Sequence, residues 1–166
     1  MSSIIMRGDT PHCYPYTVGE AVKTSVGNTT IPIAIFRNTT TIPNLRALMQ
    51  HLEILAYNPS ADTPICIQLV GGVEEVGGAY VDIVGSELDV NTTATGFTGG
   101  QVALTLYTYS SASHGNTPAS SSVSDVEASR LGLSLFTGQK FAIVASTLNT
   151  GATIDLAWAV NWIEKD

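Results

Sequence analysis

The sequence predicts an all-β protein: an antiparallel β-sandwich, jelly-roll-like, with an extended N-terminal arm. Three observations point there. Runs rich in Val, Ile, Thr and Tyr alternate apolar and polar residues with a period of two. Gly and Pro interrupt these runs at short, near-regular intervals, as turns between short strands do. The last run, TIDLAWAVNWIE at 153–164, places Ile154, Leu156, Trp158, Val160 and Trp162 on one face and Asp155, Ala157, Ala159 and Asn161 on the other. Two tryptophans on an inward face call for a thick core, which two packed sheets supply.

The elements follow in order. Residues 1–28 have little periodicity and read as an arm, leaving 29–166 as the single sandwich domain. Strands are expected at IPIAIF (31–36), ICIQLV (65–70), AYVDIV (79–84), QVALTLYTY (101–109), RLGLSL (130–135), KFAIVAS (140–146) and the final run. LRALMQHLEILAY is ambiguous, because Leu45, Leu48, Met49 and Leu52 also fit a helical stripe. Its second half, Leu52 to Tyr57, is read as a strand because a short Pro-containing turn leads straight to the next one. YSSASHGNTPASSSVSDVE at 109–127 reads as a long exposed loop. A chain of 166 residues suits one domain, which buries roughly 70% of its unfolded surface.

Composition narrows the function classes. The formal net charge of -7, with seven scattered Lys and Arg, opposes nucleic-acid binding. Only 13% of residues are charged, so the surface is polar yet uncharged and suited to packing against protein. The first ten residues lack the apolar core of a signal peptide, and no apolar run is long enough to span a bilayer as a helix, so no membrane partner is expected. Cys13 and Cys66 are too few for a disulfide framework and read as thiols, with a Cys13–Cys66 bridge as the alternative.

No constellation predicts catalysis. His12, His51 and His114 show no metal-ligand spacing, and no cofactor is expected. Ser121, His114 and Asp125 lack a nucleophile elbow. Glu74 and Glu75, adjacent in GGVEEVGG, point to opposite sides of a strand, and the segment reads as a Gly-flanked hairpin tip. Three Asn-Thr-Thr sequons, at Asn28, Asn38 and Asn91, fit turn and edge-strand chemistry. Arg7-Gly8-Asp9 reads as a bend in the arm whose charges pair with a neighbouring subunit, rather than as a receptor ligand. Tyr107 and Tyr109, on the outward alternation of their strand, read as a subunit contact, with a glycan-binding face as the alternative.

From about Phe36 onward, three segments carry a resemblance: FRNTTTIPNLRALMQHLEILAYNPSADTPICIQLV, YVDIVGSELDVNTTATGFTGGQVALTLYTYSSAS, and the close that runs from LGLSLFTGQKFAIVAS to IDLAWAVNWIEKD. The chain resembles a type of small β-sandwich structural protein found in the virions of tailed bacteriophages. That resemblance implies a capsid decoration, or cement, protein on the head surface, with a tail fibre or baseplate component that binds a receptor or glycan as the alternative. It implies the major capsid protein or other virion proteins as partners, a homo-oligomer of which a trimer is one form, and a virion location after assembly in the host cytoplasm. In that setting the arm would order on binding and bury Ile4, Ile5, Met6, Tyr14 and Tyr16, with Arg7 and Asp9 paired to a neighbour.

Overall fold

A computed structural model describes residues 10–14, 22–57, 62–110 and 133–165. Eleven strands are formed by these residues: β1 (Thr10–Tyr14), β2 (Val22–Val26), β3 (Ile31–Asn38), β4 (Arg46–Tyr57), β5 (Thr63–Val76), β6 (Val81–Asp82), β7 (Leu88–Asn91), β8 (Gly96–Ser110), β9 (Ser134–Leu135), β10 (Lys140–Thr147) and β11 (Ile154–Lys165). They make two antiparallel sheets packed face to face. One runs β1-β11-β4-β9, with β2 also on β11; the other runs β6-β7-β3-β10-β5-β8. The chain changes sheets between β2 and β3, β3 and β4, β4 and β5, β8 and β9, β9 and β10, and β10 and β11.

The core lies where the alternation predicts. Ile154, Leu156, Trp158, Val160 and Trp162 of β11 and Ala47, Met49, Leu52, Ile54 and Ala56 of β4 face Ile33, Phe36, Ile65, Ile67, Leu69 and Ile143 of the other sheet. Phe36 is the hub. It stacks on Phe141 at 5.1 Å and meets Trp158 and Trp162 edge-on at 6.0 and 6.1 Å. Aromatic pairs in these geometries contribute about 0.5–1.5 kcal/mol each beyond their area.

Several expectations change. β4 is a strand through all twelve residues, because pairing with β11 from Tyr57↔Asp155 to Arg46↔Lys165 overrides the helical stripe. In AYVDIV only Val81 and Asp82 are strand; a turn closed by the Ser86 amide on the Ile83 carbonyl ends the run. In RLGLSL the described strand is Ser134–Leu135. LDVN, unassigned from sequence, forms β7 against β3.

The arm is corrected where it is described. β1 and β2 lie end to end along the β11 edge opposite β4, paired from Thr10↔Glu164 to Tyr14↔Val160 and from Val22↔Ala157 to Val26↔Ile154. The reason is alternation: His12 and Tyr14 share one face and stack on Trp162 at 5.5 Å and Trp158 at 5.3 Å. Tyr14, expected to wait for a partner, therefore helps to close the protein's own core.

GGVEEVGG is likewise no hairpin tip. β5 continues through Glu74 and Glu75, opposite Thr98 and Phe97 of β8. The two strands bend at Gly72 and at Gly99–Gly100, which hold φ values of +72°, +68° and +88°. Val73 and Phe97 then pack with Tyr80 and Ala94 over the outer side of the sheet, on Ile35, Ala142 and Val144. This second small core explains why β3 and β10 are buried on both faces.

Candidate contact surface

An outward sheet face in an antiparallel sandwich is normally polar. The outer face of the β1/β2-β11-β4 sheet is different. Its central rows, read across the register, are Pro11–Ile163–Leu48, Cys13–Asn161–His51, Ala159–Glu53 and Val22–Ala157–Leu55, flanked by Lys165–Arg46 at one end and Asp155 at the other. Alanine fills the centre, so the face has little relief, and Val22 and Leu55 at its lower edge are each 39% exposed. The carboxylate of Glu53 lies 3.1 Å from His51 Nε2. Burial, with a smaller contribution from Glu53, pushes the Cys13 thiol up and keeps it protonated. Cys66 sits on the other sheet, opposite Tyr107, so no disulfide joins the two cysteines. The charged residues of this face are Glu53 near its centre and Arg46, Lys165 and Asp155 at its ends.

The tyrosines occupy the opposite side of the molecule. Tyr107 is 71% exposed and pairs across with Cys66; Tyr109 is 49% exposed and pairs with Pro64. Gln68 Nε2 donates to Thr105 Oγ1 at 3.3 Å, giving the tyrosine row a polar flank. Desolvation and a hydrogen bond to Asp62 raise the Tyr109 phenol above its usual range.

Around the β5–β8 tip a set of ionisable groups engage one another. Lys140 Nζ contacts Glu74 at 2.5 Å and Glu75 at 2.8 Å, which together push its ammonium up to about 12. The same ammonium holds the Glu75 carboxyl below its ordinary range. Tyr80 donates to Glu75 at 3.2 Å, and its phenol is pushed up to about 12 by desolvation first and Glu75 second. The Arg37 guanidinium lies 4.1 Å from the centre of the Tyr80 ring and binds Asp89. These contacts tie the folded-over β5–β8 tip to β3, β7 and β10.

At the other end, the Glu164 carboxylate is buried. Its Oε1 accepts from Ser86 Oγ at 2.5 Å, from the Glu87 amide at 2.8 Å and from Trp162 Nε1 at 3.4 Å, while His12 Nε2 lies 3.4 Å from Oε2. Serine, carboxylate and histidine meet here in the wrong order for nucleophilic catalysis. The hydroxyl donates to the carboxylate instead of to an imidazole base. A groove of about 840 Å³ passes Met49, Gly71, Gln101, Leu135 and Phe141; its charged lining residues, Glu74 and Lys140, bind each other. No group of three or more His, Cys, Asp or Glu among the described residues could hold a metal ion.

Of the residues singled out from sequence, Tyr107 and Tyr109 stand on one exposed strand, and Tyr14 is drawn into the core. Ile4, Ile5, Met6, Arg7, Asp9 and Tyr16 lie outside the described residues, as do His114, Ser121 and Asp125. Two sequon asparagines have structural duties: buried Asn38 donates to the Leu135 carbonyl and Asn91 to the Gly77 carbonyl. The alanine-centred face was missed. Its signal was present, since Ala157 and Ala159 stand in the outward phase of TIDLAWAVNWIE where charges are usual. No protein-family model matches the chain, and no curated protein matches it.

Proposed function

We propose that this chain is a virion structural protein, a capsid decoration protein that lies on the head surface and strengthens contacts between capsomers. The observation that supports the reading best is the outer face built on Ala157 and Ala159. A cement protein needs a broad, low-relief base that can follow another protein's surface, and this face spans three strands with alanine at its centre and most of its charges at its ends. Each copy binds through buried area, and many copies on a lattice multiply a modest contact. The partners are then the major capsid protein or other virion proteins, together with further copies of the chain.

A second reading is favoured by Tyr107. An aromatic ring 71% exposed beside Gln68 and Thr105 is the arrangement a glycan-binding tip uses, and it fits a tail fibre or baseplate component. Immunogold electron microscopy of purified particles, with antibody against this chain, separates the two. Label over heads supports decoration, and Ala159→Glu should then lower head occupancy without changing the melting temperature. Label confined to tails, or absent from particles, removes the decoration reading.

A further inference from the structure

We propose that β8 is a self-association edge, on which residues 101–107 of two copies pair antiparallel about a two-fold axis. The argument starts from how this fold treats its other edges. An exposed strand edge is a template for pairing, and proteins blunt it with short length, charge or proline. Here β6 has two residues, one of them Asp82, and β9 has two. β1 and β2 have five each and carry Pro11 and Lys23. β8 runs for fifteen residues, GFTGGQVALTLYTYS, with no charged residue and no proline. Every residue from Thr98 to Ala103 is exposed.

The strand is the last in its sheet, and among the described residues it pairs with β5 alone. A register shift opposite Leu69/Val70 bends it but introduces neither charge nor proline.

The occupant follows from charge. With a net charge of -7, two copies repel each other over most of their surfaces. The β8 strip is uncharged, so two acidic copies repel least there and their backbone edges can pair, whereas a basic partner finds no anchor on it. Val102, 53% exposed, and Tyr107 supply apolar contact beside the backbone ladder. A contact of this kind joins the same patch on both copies and closes at two. The inference does not depend on the virion reading, and a three-fold assembly would have to use other surfaces.

The test is sedimentation velocity of the full chain over a concentration series, beside the double variant Val102→Lys/Tyr107→Lys. The expected result is a reversible dimer whose dissociation constant rises about tenfold or more in the variant, because facing edges then carry like charges. Backbone hydrogen exchange on the unaltered protein reads the same contact without mutation: protection at residues 101–107 should rise with concentration. A monomer throughout, an assembly indifferent to the two lysines, or exchange at 101–107 that ignores concentration would each overturn the proposal.

Discussion

Replacing Glu164 tests a buried polar cluster that joins three elements. The carboxylate is only 6% exposed, and it joins β11 to β1 through His12 and to the turn before β7 through Ser86 and Glu87. Two of its bonds, at 2.5 and 2.8 Å, are short and charge-assisted, a class worth about 1.5–3 kcal/mol each. Glu164→Ala removes both and leaves the donors without that acceptor, so the loss should be about 3–5 kcal/mol. For a chain of this size that lowers the melting temperature by about 6–20 °C. Glu164→Gln keeps an acceptor for Ser86 and Glu87 and should cost only about 1–2 kcal/mol. Urea unfolding, followed by tryptophan fluorescence, measures both. Hydrogen exchange should show β1 opening first in the alanine variant, since His12 loses its neighbour. An alanine variant within about 1 kcal/mol of the parent would refute the reasoning, because it would mean that the carboxylate's desolvation cancels its bonds.

Gly100→Ala should destabilise by about 2–5 kcal/mol: a Cβ there meets Val70 Cγ1 at 2.7 Å and Val73 Cγ1 at 2.8 Å, on a backbone held at φ +88°. Gly85→Ala, at φ +83° with open space around it, should cost only the backbone strain of about 1–2 kcal/mol, and paired denaturant curves isolate the packing difference. Stability should also fall as pH rises from about 10 to about 12. Lys140 and Tyr80 both hold their protons up to about 12 in the folded state, whereas the unfolded chain releases them nearer 10, so over that window the native state binds more protons. Tyr80→Phe should flatten this alkaline limb in urea titrations across the pH series; an unchanged slope would show that the tyrosine's environment is not protecting its proton.

The sequence by itself determined the class of fold and much of the core. Period-two alternation is a local property, and β11 shows it without interruption, so the residues of TIDLAWAVNWIE that face inward are legible from their spacing alone. The chemical poverty of the surface is legible too, because charge is counted rather than folded. Pairing partners are not. Whether Arg46–Tyr57 becomes helix or strand depends on β11, far along the chain, and whether His12 and Tyr14 belong to an arm or a core depends on the two tryptophans they stack upon. Lone residues such as Ala157 acquire meaning only when Val22 and Leu55 are set beside them by register. The bend that folds the β5–β8 tip back over its own sheet was equally hidden, since paired glycines signal freedom of the backbone but not the direction in which tertiary packing uses it.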